Sequence, residues 1–253
     1  MTVVGPVWLL PLILSPFIGS FLGVVIDRAE NPRGIVFGRS ACTSCRVRLA
    51  PVDLVPIVSF VAFKGRCRHC HSAIGVFHLV IELLAMLVVG WLATAVEDSA
   101  LFWLGCVLGW TLLALIVIDY RHYVLPDYLT LPLIPLGMLT SWLADPYDGL
   151  KGSVIGAAVG LVFIVGLRFF YGVVRKREGI GLGDAKLLAA AGAWVTLGGL
   201  PSVILLSALS AIVFAVGRAM ATKARLSGAL RIPFGPFLAL GLWVVWLYGP
   251  LTF

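Results

Sequence analysis

Long apolar runs alternate with short polar connections along nearly the whole chain. A helix needs about 20 mostly apolar residues to cross a hydrocarbon core about 30 Å thick. Eight windows approach that description, and they cover residues 4–26, 76–96, 101–118, 128–144, 153–171, 184–197, 201–220 and 234–251. The sixth window is short, so we expect it to recruit flanking residues. The pattern predicts an all-α polytopic membrane protein with about eight transmembrane helices.

Composition and charge support this class. The chain is 60% hydrophobic and only 12% charged, and its mean hydropathy is +1.05, which excludes an ordinary soluble domain. The polar segment 27–75 carries eight Lys/Arg residues, whereas the loops assigned to the opposite side are mainly acidic. The positive-inside rule then places the basic loops in the cytosol and both termini on the outer side of the membrane. This asymmetry and anionic lipid account for the net charge of +7 without a nucleic-acid partner.

The first apolar run has no basic residue before it and a basic segment after it. A cleavable signal peptide has the reverse arrangement, so we interpret the run as a permanent anchor. The expected organisation is a first transmembrane helix (1–26), a cytosolic cysteine-rich segment (27–75) and a seven-helix membrane domain (76–253).

Two C-x-x-C pairs lie in the cytosolic segment, Cys42 with Cys45 and Cys67 with Cys70, and 21 residues separate them. Paired C-x-x-C motifs are typical of a structural zinc site in which four thiolates form a tetrahedron. Two disulfides are the alternative, which the reducing cytosol disfavours. About 50 residues form a weak core, so bound metal would supply much of the folding free energy.

Other residues near the cysteines have simpler expected roles. Neighbouring arginines are expected to favour the thiolates by lowering their pKa. Nearby histidines are possible substitute ligands, although four cysteines already complete the shell. We expect Cys106, in an apolar helix, to be a packing residue. The arginines are Arg46, Arg66 and Arg68, and the histidines are His69, His71 and His78.

Acidic residues at the ends of apolar runs are the candidate catalytic groups. A charged residue within a membrane helix costs about 2.5–3.5 kcal/mol on insertion scales, so it indicates function. Asp119 directly continues one apolar run, and Asp184 heads another after the glycines at 179, 181 and 183. Glycines let a backbone unwind and approach another chain. Capping of the following helix is the alternative role for Asp184, and it is the expected role of Asp127.

The predicted topology places Asp119 and Asp184 at similar depth, at the cytosolic ends of different helices. Two carboxyl groups facing one cleft share a proton, because repulsion and poor solvation oppose ionisation of both. The ionised group then takes a proton from water attacking a peptide carbonyl, and the protonated group donates one. Glu82, near the same boundary, is either a buried carboxyl bonded to a neighbouring helix or a snorkelling side chain, and its apolar neighbours favour the first.

Together these motifs give the chain a resemblance to type IV prepilin peptidases, which are bacterial inner-membrane aspartic proteases of the G-x-G-D class. The resemblance covers nearly the whole chain. Its motifs lie at 19–22, in both cysteine pairs, and at 53–59, 65–68, 82–83, 119, 125–127, 181–187 and 233–237. Residues 19–23 also form a small-residue patch suited to close helix packing. The departures are Gly23 in place of Asn, Thr43 and Ser44 where the first cysteine pair usually contains Pro, and Phe77-His78 in place of Tyr-Pro. None of them alters either acid.

The resemblance implies a membrane aspartic endopeptidase that removes short basic leaders from prepilins and pseudopilins on the cytosolic side. Many such enzymes also methylate the new N-terminus with S-adenosylmethionine. It implies Asp119 and Asp184 as the catalytic pair and the four cysteines as zinc ligands. The prediction extends to Gly181, Gly183 and Lys186 as substrate-contacting residues.

Two other classes share part of this pattern. Ion-coupled transporters also combine intramembrane acids with glycine-broken helices, but they place the acids near the bilayer midplane and contain internal repeats. The two halves of this chain show no repeat. A zinc-stabilised scaffold without activity leaves the paired acids unexplained.

Overall fold

The computed structural model describes residues 7–30, Gly34, Gly38, 40–175, 181–222 and 232–251. Across those ranges the fold is helical, and its only β pairing consists of isolated bridges within the cysteine segment. A 3₁₀ turn, Pro51–Leu54, precedes the second helix. The helices are α1 (Leu9–Asp27), α2 (Val58–Ala62), α3 (Phe77–Leu92), α4 (Ser99–His122), α5 (Asp127–Ala144), α6 (Gly149–Arg175), α7 (Leu182–Thr222) and α8 (Gly235–Tyr248).

Four of these helices, α1, α4, α6 and α7, are long and apolar enough to cross a membrane, and α3 and α8 are shorter apolar helices. The all-α class is therefore confirmed, and each predicted apolar window lies largely on a helix. The described helices also number eight, but they are not the predicted eight. The sixth and seventh windows are both in α7, while α2 is a short helix of the cysteine segment. The number of membrane crossings stays a prediction.

A break inside α7 explains why the sequence suggested two helices there. Thr196 has φ 58° and ψ −177°, which interrupts the helical backbone. In an unbroken helix the Ala193 carbonyl would accept a hydrogen bond from residue 197. Here it accepts hydrogen bonds from the hydroxyls of Ser141 (2.9 Å) and Ser153 (2.8 Å), which belong to α5 and α6. The carbonyl group that lacks a helical partner is thus hydrogen-bonded within the protein, as apolar surroundings require.

Close packing holds the N-terminal half of α7 against its neighbours. A Cβ atom on Gly192 would lie 2.1 Å from the carbonyl oxygen of Gly156, so α6 and α7 touch backbone to backbone. The indole N–H of Trp194 donates to the carbonyl oxygen of Leu133 in α5 at 2.8 Å. The segment of α7 that begins beside Asp184 is therefore fixed by α5 and α6.

The chain forms two compact units, Met1–Ala114 and Leu115–Phe253, and the division falls within α4. In the first unit α1 packs against α3. A Cβ on Gly19 would lie 2.6 Å from the Cα of Glu82, and one on Gly23 would lie 2.3 Å from the His78 ring. The predicted small-residue patch in α1 does allow close helix packing. In the second unit α7 packs against α5, α6 and α8.

Candidate active site and metal cluster

The first predicted catalytic residue, Asp119, lies in the last turn of α4 and is only 6% exposed. The helix ends soon after it, because Tyr123 adopts a positive φ of 57°. The Tyr123 N–H still donates to the carbonyl oxygen of Asp119 at 2.9 Å. The chain then runs to Pro126, whose extended backbone caps α5. Asp119 is therefore a buried carboxyl group on a firmly terminated helix.

A backbone group from the far end of the chain holds the Asp119 side chain. The N–H of Gly235 donates to Asp119 Oδ2 at 3.0 Å, and this contact is buried. Gly235 is the first residue of α8, where backbone N–H groups have no partner within the helix. The positive end of the helix dipole also stabilises a carboxylate placed there.

The second predicted catalytic residue, Asp184, lies in the first turn of α7 and is half-buried. The Gly181 backbone N–H donates to its carboxyl group, as in a helix cap. The Asp184 and Asp119 carboxylates also lie close enough to repel each other electrostatically. The two interpretations of Asp184 are therefore compatible, since one carboxyl group takes part in both contacts.

Leu125 fills the space beside the two acids. A Cβ atom on Gly183 would lie 2.9 Å from the Leu125 Cβ, and one on Gly235 would lie 3.1 Å from Leu125 Cδ2. Leu125 is 8% exposed. Small residues are thus needed at both glycines for the elements carrying the acids to approach each other. This packing differs from the expected unwinding: Gly183 is already helical, and Gly181 is exposed outside α7. Gly179 lies outside the described residues.

Lys186 forms an ion pair with Asp127. Its Nζ atom lies 2.6 Å from Asp127 Oδ1, and the two side chains are 31% and 58% exposed. The expectation that Asp127 caps α5 is wrong, because Pro126 occupies the cap position and no side-chain cap bond forms. Proline fixes the entry into the helix and leaves Asp127 as its first residue, free to reach Lys186. The assignment of Lys186 to substrate binding stays a prediction.

The four cysteines of the two C-x-x-C motifs come together in the first unit. Their sulfur atoms all lie within 4.8 Å of one another, and this metal cluster consists of Cys42, Cys45, Cys67 and Cys70. The sulfurs of Cys42 and Cys70 are 3.8 Å apart. Four thiolates around zinc at about 2.3 Å would have sulfur–sulfur distances of about 3.8 Å. The donor set and its spacing therefore fit a tetrahedral zinc ion, and all four cysteines are free thiols rather than disulfides.

Two matching turns build this cluster. In each, the residue after the second cysteine has a positive φ, 58° at Arg46 and 56° at His71. The N–H of that residue donates at 2.9 Å to the carbonyl oxygen of the first cysteine of its pair. A short antiparallel bridge flanks each turn, Ala41 with Arg48 and Arg66 with Ala73. The two C-x-x-C motifs in the sequence indicate these two matching turns.

Hydrogen bonds make two of the thiols good metal ligands. The backbone N–H groups of Cys45 and then Ser44 lower the pKa of the Cys42 thiol to about 6. The Ser72 hydroxyl, 3.0 Å from the Cys70 sulfur, and the Ser72 backbone lower the pKa of the Cys70 thiol. The prediction that arginines lower these pKa values misplaces the cause, which lies in the turns themselves. Deprotonated thiols bind metal directly.

Two other predictions concern buried groups. Glu82 is 5% exposed and accepts a hydrogen bond from the Ile57 N–H at 2.8 Å. It also bonds to the Ser20 side chain of α1, which confirms the expected link to a neighbouring helix. Cys106 is fully buried, as expected of a packing residue.

Gly235 and Leu125 contact the acids or the glycines beside them, yet sequence reasoning gave neither a role in the site. The signal for Gly235 is the G-P pair at 235–236, because a proline in the first turn marks the start of a helix. A helix start offers N–H donors but does not say to which side chain. That partner lies 116 positions away.

These features define a polytopic helical membrane protein with a carboxylate pair in one unit and a four-thiolate cluster in the other. The chain belongs to the type IV leader peptidase family. Residues 106–216 match the family described as Type IV leader peptidase family, and residues 13–96 match the Bacterial Peptidase A24 N-terminal domain. The apolar helices and this family indicate a protein of the bacterial inner membrane.

Relatives named prepilin leader peptidase/N-methyltransferase match along most of their length. The protein from Dichelobacter nodosus is 33% identical, over 94% of this chain and 90% of its own. The protein from Burkholderia pseudomallei strain 1026b is 40% identical, over 91% of this chain and 82% of its own. The protein from Pseudomonas aeruginosa PAO1 is 32% identical, over 94% of this chain and 89% of its own. No solved structure matches the chain.

Proposed function

We propose that this protein is a prepilin leader peptidase that also N-methylates the new N-terminus of its product. The observation that carries the peptidase assignment is that Leu125 packs against both Gly183, which precedes Asp184, and Gly235, whose N–H bonds to Asp119, so the elements that carry the two acids meet within one unit. The names of relatives that match most of the chain support both activities. The proposed substrates are type IV prepilins and pseudopilins, whose short basic leaders precede an apolar segment.

The proposed reaction needs one proton shared by the two carboxyl groups. The ionised group takes a proton from water as the water oxygen attacks the scissile carbonyl carbon. The protonated group donates to the carbonyl oxygen. The tetrahedral intermediate then breaks its C–N bond as the first carboxyl group passes the proton from water to the leaving nitrogen, and a hydroxyl of the intermediate returns its proton to the second carboxyl group. The Gly235 N–H keeps Asp119 in place throughout, because it contacts Oδ2 and leaves Oδ1 for the reactants. Gly181, Gly183 and Lys186 would lie along the substrate beside Asp184.

We place both acids at the cytosolic face, with both termini on the outer side. The basic residues concentrated in one set of loops support this orientation. A prepilin leader is cytosolic and its following segment enters the bilayer from that side. The proposed organisation is a first transmembrane helix (1–26), a cytosolic zinc-binding segment (27–75) and a membrane domain (76–253) that carries the acids.

Zinc is the proposed occupant of the metal cluster, with a structural role. Four thiolates complete its coordination and leave no position open for a substrate, which is typical of structural sites. S-adenosylmethionine is the proposed methyl donor, and when bound it supplies an electrophilic methyl group. The N-methyltransferase part of the relatives' names supports that cofactor.

The peptidase proposal is tested with purified protein and a purified prepilin in detergent. Asp119→Asn and Asp184→Asn should each reduce kcat for leader cleavage by about 10²–10⁴-fold, the usual contribution of acid–base catalysis. Asp148→Asn is the matched control, because the Asp148 side chain is 84% exposed in the α5–α6 connection. Near-normal cleavage by either active-site variant, with the protein still folded, would contradict the carboxylate-pair assignment. An ion-coupled transporter would lack leader cleavage in the unmodified protein too.

A further inference from the structure

A run of ten uncharged, mostly apolar residues lies inside the segment predicted to be cytosolic. The run covers residues 54–63 and includes α2, and it is flanked by Asp53 and Lys64. An apolar stretch of about 10–14 residues is too short to span a bilayer, and it is typical of a buried core helix or of a re-entrant or interfacial segment. The proposed leader cleavage makes no use of this run.

The run folds as a hairpin with a polar base. Arg68 Nε lies 3.5 Å from Asp53 Oδ1, a buried oxygen that has no hydrogen-bond donor among the residues that the structure describes. The other carboxyl oxygen of Asp53, Oδ2, accepts a hydrogen bond from the Ala50 N–H at 2.9 Å. The chain just before the run therefore meets the chain just after it, and residues 54–63 form the loop between them.

A hydrogen bond places the tip of this hairpin beside the interior of α1 and α3. The Ile57 N–H donates to Glu82 Oε2 at 2.8 Å, and Glu82 is 5% exposed. A Cβ atom on Gly19 would lie 2.6 Å from the Cα of Glu82, so these two residues lie at the same level of the helix pair. Since a helix rises 1.5 Å per residue, that level is about 12 Å from Asp27, the last residue of α1.

The same level lies within the hydrocarbon of a membrane. α1 is long and apolar enough to cross a membrane, and its 19 residues extend over about 28 Å. A hydrocarbon core is about 30 Å thick, so α1 needs nearly its whole length to span it. The Glu82 side chain leans toward the start of α3, which reduces the depth of its carboxyl group by only a few ångströms. Ile57 therefore lies inside the membrane boundary that Asp27 defines.

Glu82 makes irregular backbone possible at this depth. Ile57 precedes α2 and has a positive φ of 59°. A branched residue in this conformation is strained and persists only where its surroundings hold it. An unsatisfied backbone N–H is strongly unfavourable in hydrocarbon, so it must find a partner within the protein. The Glu82 carboxyl group supplies that partner, and the Ser20 side chain of α1 bonds to the same carboxyl group.

α2 presents an uncovered apolar face next to this anchor. Val58 is 62% exposed, Val61 is 66% exposed, and Ala62 is exposed as well. Residues three and four positions apart lie on one face of a helix, so these side chains form a single apolar surface. On either side of Glu82, Val80 and Leu83 of α3 are 44% and 48% exposed and offer the same kind of surface. At the depth of Glu82, acyl chains are the surroundings that such surfaces fit.

We propose that residues 54–63 are a re-entrant element that inserts into the inner leaflet, with the exposed face of α2 against lipid acyl chains. Glu82 holds the tip of the element in place. The long apolar stem of Lys64 lets its ammonium group reach the headgroups directly after α2. Cys67 follows three residues later, so the insertion also ties the metal cluster to the membrane surface. This role is independent of the proposed catalytic activities.

The test uses full-length, zinc-loaded protein in lipid nanodiscs, with a fluorescent amino acid encoded at Val61. Lipids brominated on their acyl chains quench the fluorophore on contact, and iodide quenches it from water. Leu87, 59% exposed on α3, is the lipid-facing reference, and Val47, 40% exposed near the first C-x-x-C turn, is the matched control. Bromolipid quenching at Val61 should equal that at Leu87 within about twofold and exceed that at Val47 roughly 5-fold. Bromine about 5–10 Å below the headgroups should quench most strongly.

Iodide should quench in the opposite order. A fluorophore at Val61 that behaves like the one at Val47 would overturn the insertion. Shielding of Val61 from both quenchers would overturn it too, because another part of the protein or a second copy would then cover α2.

The anchoring role of Glu82 has its own pair of variants. Glu82→Gln keeps an acceptor oxygen and should leave bromolipid quenching at Val61 unchanged. Glu82→Leu removes the acceptor and should reduce that quenching roughly 3-fold, with quenching at Leu87 unaffected. Zinc content and Tm report folding, and unchanged quenching in folded Glu82→Leu would refute the anchor.

A further variant tests the insertion without touching Glu82. A charge is unfavourable in hydrocarbon, so Val61→Asp should displace the hairpin toward water. Trypsin should then cut after Lys64 roughly 10-fold faster than in Val47→Asp, the matched control. Equal rates of cutting in the two variants would contradict the proposal. Leader cleavage is not a readout of any of these experiments, so their failure would leave the peptidase proposal standing.

Discussion

Replacing Gly235 by alanine should impair the catalytic step while leaving substrate binding intact. The added Cβ atom would lie 2.7 Å from Asp119 Oδ2 and 3.1 Å from Asp119 Cγ. Carbon and oxygen atoms do not approach so closely without a shift, and the carboxylate is the group that must move. The shift lengthens or breaks the hydrogen bond from the Gly235 N–H, which measures 3.0 Å.

The expected size of the effect follows from that hydrogen bond. A hydrogen bond to a charged group contributes about 1.5–3 kcal/mol. Since about 1.36 kcal/mol corresponds to a tenfold change in rate, its loss predicts a decrease in kcat of about 10- to 150-fold. A misplacement of about 1 Å has a cost of similar size, about 10²-fold. KM should change little, because the role proposed for Asp119 is in the catalytic step and not in holding the leader.

The assay is leader cleavage of purified prepilin by detergent-solubilised protein, with kcat and KM measured separately. Gly217→Ala is the matched control, because a Cβ atom there meets nothing within 4 Å. The double variant Leu125→Ala/Gly235→Ala separates the two contacts, since it relieves only the 3.1 Å approach to Leu125. Near-normal kcat for folded Gly235→Ala would refute the role of this N–H. Recovery of activity in the double variant would assign the loss to Leu125 packing instead.

Three further predictions address the metal, the packing and the topology. Elemental analysis should find about one zinc per chain. Replacing any one of the four metal-cluster cysteines by serine should lower the zinc content and the Tm. These variants should lose less cleavage activity than the aspartate variants. Metal-free native protein would contradict this. Gly183→Leu should lower cleavage more than Gly198→Leu, because only the first meets a neighbour; equal activities would contradict it. With the labelled positions mapped by mass spectrometry, maleimide should modify Val124→Cys only from the cytosolic side and Thr94→Cys only from outside. The opposite pattern would invert the topology.

The labelling position itself shows what the structure adds. From sequence, Ala185 is a natural choice for a cysteine, because it follows Asp184 at a predicted helix start. The structure buries Ala185 to 1% exposure, so a thiol there would not react. Val124, at 51% exposed, is accessible. Burial depends on which helices cover a residue, and a sequence window contains no information about that.

Periodicity and spacing alone predicted the membrane class, the helical segments, the zinc-type cysteine pairs and the two candidate catalytic acids. These features are local: an apolar run must span lipid, and a C-x-x-C turn presents two sulfurs whatever surrounds it. The break at Thr196 was visible only as an interruption between two windows. Whether it separated two helices or lay within one depended on the hydroxyls that satisfy the Ala193 carbonyl.

The tertiary structure alone decided how the two acids are held and where an unsatisfied oxygen remains. Asp119 contacts an N–H that is 116 positions away, and Lys186 reaches Asp127 across 59 positions. Asp53 lies in a motif that gave no sign of an unfilled hydrogen bond. Hydrogen bonds and steric fit act over about 3–4 Å, so they depend on which distant segments meet. The sequence of each segment predicts its secondary structure, whereas the packing of the folded chain determines which distant segments are in contact.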